Sequence, residues 1–449
     1  MDKSRKNKME SMPMGALVLD MSLPMMVSLL VQSLYNIVDS IFVARLSEKA
    51  LTATSLAYPV QMLMIAVGVG TAVGVNVLLS RTLGKKDAAE ASGVAMTGLL
   101  LAAASAAVFI LAGLIFARTL ASSFAQDPEI VGMCGDYLWI CMVFCLGNLV
   151  CMTQQRLLQA AGNTLLSMVI LICGAVTNIV LDPVMIFGLL GCPAMGIRGA
   201  AWATVIGQWV SMAVGFWLNL RHNPDVRLDV AHFVLKPGRI ADIYRVGLPT
   251  MVMQAMTSVM VTAFNAILLP FSTTAVAFFG VYYKLQSFLF MPMNGLGQAM
   301  IPIVGYNHGA RNRDRILQAA KVVYPWAVGL SLAGTALFSL FGGQLLSLFS
   351  AGEEMLAMGI PALRIISVSF ALAGFTMLTG YFTSGLGDGI TNMAAAFLRQ
   401  FFPLIPCAWL LAKTGGVGAA WFAIWISEIA GAVYAALRLR RLLSEKLNF

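Results

Sequence analysis

Charge is what this sequence is short of. Of its 449 residues only 11% are Asp, Glu, Lys or Arg, less than half the roughly 25% of an ordinary soluble domain. With 59% hydrophobic residues, that shortage excludes a soluble globular chain and implies a polytopic membrane protein. Metal-ligating chemistry is scarce as well. There are three histidines, and the seven cysteines (Cys134, Cys141, Cys145, Cys151, Cys173, Cys192, Cys407) fall mostly inside apolar runs. Their spacing fits neither a disulfide framework nor a metal site, so they read as small packing residues. No DDxxD motif stands in a polar loop to hold Mg²⁺, which argues against a membrane-embedded enzyme.

The net charge of +9 would point to nucleic acid in a soluble protein, but its placement follows membrane topology instead. Lys3, Arg5, Lys6 and Lys8 precede the first apolar run, and Arg81, Lys85 and Lys86 follow the second. Arg221, Arg227, Lys236, Arg239 and Arg245 fill the longest polar loop. Arg311, Arg313 and Arg315 follow the eighth run, and Arg438, Arg440, Arg441 and Lys446 close the chain. The alternate loops carry Glu48, Asp127, Glu129, Glu353 and Glu354. The positive-inside rule then predicts an inner-membrane protein with both termini in the cytoplasm and an even number of spans. The apolar segment after the basic N-terminus is long and has no obvious cleavage site, so it is expected to stay as a first span.

Apolar runs of about 20 residues predict roughly twelve transmembrane helices: 14–44, 50–79, 91–117, 133–153, 165–190 and 200–220, then 246–270, 274–304, 319–349, 356–383, 390–411 and 418–437. The fold class is therefore all-α and polytopic, with a six-helix lobe over 1–220, a polar linker over 221–242 and a second lobe over 243–449. The second half repeats the first. Gly247-Leu248-Pro249 follows Ser22-Leu23-Pro24 at an offset of 225 (249 − 24), as does Phe271-Ser272 after Leu46-Ser47. Gly418-Ala419-Ala420-Trp421 follows Gly199-Ala200-Ala201-Trp202 at 219 (418 − 199), which implies a shorter loop before the last span. Six spans per half make these parallel repeats about an axis along the membrane normal, an architecture that secondary transporters use.

The deep acids break this symmetry. Asp39 aligns with Phe264, Asp182 with Cys407 and Asn178 with Pro403. A charged side chain in hydrocarbon costs roughly 2.5–3.5 kcal/mol on insertion scales, so it is kept for function. Asn178 and Asp182 are four residues apart and share a helix face. Asp39 stands six residues before Arg45, Asp182 six before Gly188, and Thr204 six after Arg198. Each is thus about 9 Å inside its helix end. Two carboxylates, an amide and a hydroxyl at one depth form an oxygen set suited to a proton or a small hard cation. Asp39, Asn178, Asp182 and Thr204 are therefore the candidate cation-coupling residues, and the candidate metal ligands if the ion is Na⁺. Tyr35 and Gln32 on the first span, Met256, Lys284 and Glu428 are candidates for a substrate cavity. Glu428 is the deep acid of the second lobe and Lys284 a deep base that needs a counter-charge, so the two are possible partners. The 28 methionines favour an adaptable cavity for varied apolar ligands.

Several motifs together resemble the MATE (multidrug and toxic compound extrusion) family, in its prokaryotic branch with DinF-like and MepA-like members. They are Ser33-Leu34-Tyr35-Asn36-Ile37-Val38-Asp39, Gln159-Ala160-Ala161-Gly162-Asn163, Asn178-xxx-Asp182, Gly196-Ile197-Arg198-Gly199-Ala200-Ala201-Trp202-Ala203-Thr204 and the Gly-Leu-Pro at 247–249. The resemblance implies a V-shaped fold of two six-helix lobes, with export of organic cations and amphiphilic drugs in exchange for H⁺ or Na⁺. It implies no bound cofactor, and it gives Asp39, Asn178, Asp182 and Thr204 a role in cation coupling. One branch of the family carries acids in spans seven and ten. Here those regions read Gln254-Ala255-Met256-Thr257 and Phe375-Thr376-Met377-Leu378, so coupling is expected to rest on the first lobe. The expected partners are small drug-like molecules and the bilayer, with no nucleic acid, and a monomer is expected. A flippase for a lipid-linked precursor shares the broad architecture and is the alternative. It predicts several arginines lining a central cavity, whereas Lys284 stands nearly alone at depth.

Overall fold

The computed structural model describes residues 7–229, 233–349 and 351–447; the basic residues Lys3, Arg5 and Lys6 lie outside them. All regular structure among the described residues is helical. A short α1 (Lys8–Ser11) leads into α2 (Met14–Leu46), α3 (Glu48–Gly84), α4 (Ala88–Phe124), α5 (Pro128–Val143), α6 (Leu146–Ala160), α7 (Thr164–Phe187) and α8 (Ile197–His222). The second half runs through α9 (Pro237–Leu268), α10 (Thr273–Gly309), α11 (Arg313–Ser347), α12 (Glu353–Ser367), α13 (Phe370–Gly385), α14 (Gly389–Gln400), α15 (Leu404–Ala420) and α16 (Phe422–Lys446). Ten helical segments, counting α14 with α15 as one, are long and apolar enough to cross a bilayer. The bent pairs α5–α6 and α12–α13 bring the number to twelve.

Caps rather than hydropathy set the helix ends, so the helices outrun the apolar runs. The hydroxyl of Ser47 accepts from the N–H of Ala50 at 3.0 Å and starts α3, and the Asp87 carboxylate accepts from Glu90 N–H at 2.9 Å and starts α4. Each supplies a partner to a backbone donor that the helix start leaves orphaned. The linker expected over 221–242 becomes helical at Pro237, a residue suited to the first turn. Spans four and ten are bent by 47° and 50°. Neither break (Phe144-Cys145, Val368-Ser369) carries a proline to announce it.

The internal repeat is written in the backbone. Ser272 caps α10 as Ser47 caps α3, and Asn312 caps α11 as Asp87 caps α4, both 225 residues on. Lys86 and Arg311, the same distance apart, take positive φ of 60° and 55°, and Gly162 and Gly387 take 91° and 76°. The final span of each half opens after a positive-φ glycine. Gly196 (56°) precedes α8, and Gly416 (71°) breaks α15 just before Gly418-Ala419-Ala420-Trp421.

The chain divides into two compact units: Met1–Ser11 with Leu23–Met251, and Met12–Ser22 with Val252–Phe449. The first unit packs on small side chains. Ala50, Ala53, Ala57, Ala117, Ala121, Ala200 and Ala201 are fully buried against Leu138, Ile186 and Val205. Small residues let helix backbones approach closely where lipid removes the hydrophobic drive. The second unit carries an aromatic cluster instead, with Phe264 stacked on Phe279 at 4.5 Å and Trp421 edge-on to Phe278 at 5.1 Å.

Candidate functional site

Two features of α7 and α8 build the site. Asn178 and Asp182 sit one turn apart on α7, and α8 lies close enough to present Thr204 to them. Glycine makes that approach possible. A Cβ on Gly207 would fall 2.8 Å from the Gly174 carbonyl oxygen, and one on Gly199 would fall 2.8 Å from the Ile186 nitrogen. The Asn178 Nδ2 then donates to Asp182 Oδ1 and to Thr204 Oγ1, each at 3.3 Å. With its amide turned over, Asn178 donates to Asp182 Oδ2 at 3.1 Å and its oxygen accepts from the Thr204 N–H at 3.1 Å. In either orientation the amide ties the acid on α7 to α8. All three residues are buried, Asp182 completely.

The third wall is α2, which sets Tyr35 and Asp39 one turn apart. The Tyr35 hydroxyl lies near Thr204, and the Asp39 and Asp182 carboxyl groups lie near each other. One Asp39 oxygen, Oδ1, is buried with no partner among the described residues. The structure thus brings Asp39, Asn178, Asp182 and Thr204 together in the first unit. It also adds Tyr35 to them, a residue expected from the sequence to line a substrate cavity.

Sequence reasoning missed two neighbours. Gln61 of α3 donates to the Tyr137 hydroxyl of α5 at 3.3 Å and contacts Cys141 Sγ at 3.8 Å, and Tyr137 and Cys141 lie within charge–charge range of Asp39. A lone glutamine after Pro59 in an apolar run is the one available signal. Among the described residues no group of three or more His, Cys, Asp or Glu side chains comes together. The donors here are mainly hard oxygens, which suit H⁺ or an alkali cation rather than a transition metal.

The remaining candidates scatter. Gln32 is exposed, Met256 is buried on α9 and Lys284 is exposed on α10. Lys284 and Glu428 do not pair. Glu428 is held by Arg399, whose Nε and Nη2 reach its two oxygens at 2.7 and 2.8 Å in a largely buried fork. A guanidinium matches both carboxylate oxygens at once, which a lysine cannot do. Arg399 stands in the apolar run 390–411, where its charge is the signal that sequence reasoning passed over. At the repeat positions of the first-unit acid and amide, the second unit holds a fully buried Phe264 and a helix break, with Pro403 between α14 and α15. Proline lacks the donor that would continue the ladder there.

The family model described as MatE matches this chain twice, over residues 24–184 and 249–410. Multidrug export protein MepA of Staphylococcus aureus (strain bovine RF122 / ET3-1) is 26% identical over 445 residues, covering 98% of this chain and 96% of that protein. A multidrug resistance MATE family transporter of the MOP superfamily, solved in an outward-facing conformation, aligns with a TM-score of 0.90 at 26% identity over 99% of both chains. A MATE crystal structure in a bent conformation aligns at 0.92 with 26% identity, again over 99% of both.

Proposed function

Because the chain belongs to the MATE family, matched over most of its length and twice within it, it is a membrane transporter and not an enzyme, and we propose that it exports amphiphilic organic cations in exchange for H⁺ or Na⁺. The coupling residues in this reading are Asp39, Asn178, Asp182 and Thr204, with Tyr35 and Tyr137 completing the polar pocket. The observation that carries it is the closeness of the Asp39 and Asp182 carboxyl groups, with the buried Asp39 Oδ1 receiving no hydrogen bond from the described residues. Two carboxyl groups at that range in a low dielectric need a proton or a cation between them.

The mechanism follows from what the ion changes. With the ion bound, the carboxyl pair, the Asn178 amide and the Thr204 hydroxyl draw α2, α7 and α8 toward one centre. With it lost, like charges face each other and the helices are pushed apart. Ion and drug then each favour a different one of two conformations, the condition for exchange rather than leak. Loading from the outside favours drug release, and ion release inside resets the drug site. The chain acts as a monomer in the cytoplasmic membrane, with both termini in the cytoplasm on the charge pattern of its loops.

The test is efflux of a fluorescent organic cation from proteoliposomes under a pH gradient and, separately, a Na⁺ gradient, for wild type and Asp182→Asn. Transport by wild type under either gradient and loss in the variant supports the reading and names the ion. Normal transport by Asp182→Asn under both gradients overturns it.

A further inference from the structure

The candidate ion site lies near one end of α8, and a polar stripe runs from it along the same helix. Its positions are Thr204, Gly207, Ser211, Gly215, Asn219 and Asn223, spaced by three and then by four residues, hence one face. Every polar side chain of the stripe is buried: Thr204 and Ser211 at 6% exposure, Asn219 at 2%, Asn223 at 3%. At Gly207 the neighbouring backbone is itself the lining, since the Gly174 carbonyl comes within 2.8 Å of the missing Cβ, with Asn178 beside it. The Ser211 hydroxyl donates to the Ile170 carbonyl at 3.1 Å. Gly215 makes room for the fully buried Gln154 of α6. Asn219 Nδ2 donates to the Gln154 carbonyl at 3.2 Å, and its Oδ1 accepts from Asn223 Nδ2 at 3.1 Å. Asn223 Oδ1 is buried with no partner among the described residues. Just beyond it, Asn7 Nδ2 donates to Asp225 Oδ2 at 3.0 Å. The stripe covers about 28 Å at 1.5 Å per residue.

The repeat argues that architecture alone does not require this stripe. On the Gly-Ala-Ala-Trp offset of 219, its positions correspond in α16 to Ala423, Ile426, Ala430, Tyr434, Arg438 and Leu442. Four of these six (Ala423, Ile426, Ala430 and Leu442) are apolar, so the corresponding face of the second half is interrupted where that of α8 is not. Buried polar groups that serve only to hold two helices together have no reason to follow the acids in this way.

We propose that this face of α8 is the inward route of the coupling ion: a closed seam that, when wetted, carries a hydrated proton or Na⁺ between Asp182 and the cytoplasmic end of the first unit. Ser211, Asn219 and Asn223 are its positioning residues, and Asn223 Oδ1 offers the acceptor at its inner mouth. The proposal rests on the reading of Asp39 and Asp182 as the coupling pair.

Proteoliposomes carrying wild type, Asp182→Asn, Asn219→Leu or Asn219→Ser are compared under whichever gradient drives wild type, with equilibrium binding of the fluorescent cation measured alongside. Leucine comes near asparagine in reach but cannot be hydrated, whereas serine leaves a gap that water can fill. The route predicts a fall in turnover of about tenfold or more for Asn219→Leu at saturating drug, with drug affinity within about twofold of wild type. It predicts at least about half of wild-type turnover for Asn219→Ser. Wild-type turnover by Asn219→Leu, or a serine variant worse than the leucine variant, overturns the route, because the second order is that of a packing role. Should Asn219→Leu not fold, Ser211→Ala, which adds no volume, is read by the same criterion of lost turnover with retained binding. If Asp182→Asn is inactive and the stripe variants are unimpaired, the route alone falls. If Asp182→Asn transports normally, the coupling site falls and the route with it.

Discussion

Asp39 and Phe264 hold the same place in the two halves of the chain, 225 residues apart (264 − 39), and they are treated in opposite ways. Asp39 reaches the Asp182 carboxyl and leaves one oxygen buried without a partner among the described residues, while Phe264 is fully buried and stacked on Phe279 at 4.5 Å. One half keeps polar side chains where the other stacks rings.

That difference fixes the outcome of swapping the two residues. Phe264→Asp introduced into an Asp39→Asn protein fails to restore transport, because Phe279 and Trp421 offer an acid no hydrogen-bond donor beyond the indole N–H. Phe264→Ala alone removes a fully buried ring and costs about 3–5 kcal/mol, read as a lower unfolding temperature of the purified protein. A Phe264→Asp rescue of cation efflux would contradict the assignment of coupling to the first unit.

Thr204→Val keeps the shape of the side chain and deletes the hydroxyl that accepts from Asn178. One hydrogen bond contributes about 0.5–1.5 kcal/mol net, so the ion concentration for half-maximal transport should rise about two- to twelvefold. Maximal rate at saturating ion should change much less. The measurement is transport rate against outside H⁺ or Na⁺; an unchanged midpoint would take Thr204 out of the site.

The Arg399–Glu428 fork is a largely buried pair, and its members are unequal to their sum. Arg399→Met strands the Glu428 carboxylate and should destabilise by about 3–5 kcal/mol. The double change Arg399→Met with Glu428→Leu should recover most of that loss, since well-packed apolar residues replace buried ion pairs at little cost. Thermal unfolding of the two purified variants decides it: equal melting temperatures would refute the coupling between the two residues.

Glycines divide by what surrounds them. Gly199→Ala drives a methyl group into the backbone of Met185 and Ile186, whose nitrogen stands 2.8 Å from the Cβ position. Overpacking of this kind costs about 1–3 kcal/mol, and the shift of α8 should also impair transport. Gly329→Ala, in the middle of α11, meets nothing within 4 Å and should stabilise by up to about 1 kcal/mol through helix propensity. Comparing the two melting temperatures checks both signs at once.

Much of this fold is legible in the residues alone. The spans follow from apolar runs because a bilayer tolerates little else, and the repeat follows from loop motifs that the backbone reproduces in caps and positive-φ residues. Asn178 and Asp182 stand out because a helix places residues four apart on one face. Gln61 and Tyr137 do not, because their role depends on α3 and α5 meeting α2, a tertiary fact with no local signature. The bends of 47° and 50° leave no mark either, having neither proline nor glycine at the break. Arg399 is different in kind: an arginine within an apolar run is visible, but its partner follows only from the packing of α14 against α16.

Coupling through a single carboxyl pair, as proposed above, would also set a thermodynamic ceiling on how steeply this transporter can concentrate its cargo. If coupling rests on Asp39 and Asp182 as proposed, with Phe264 in the matching place of the second half, each cycle loads one or at most two ions per drug. Each ion exchanged down a one-unit pH difference is equivalent to about 1.4 kcal/mol, a tenfold concentration ratio. One proton per drug would therefore stall against a tenfold uphill ratio per pH unit, and two protons against a hundredfold. The stall ratio reports how many ions the Asp39–Asp182 pair exchanges in each turn of the cycle.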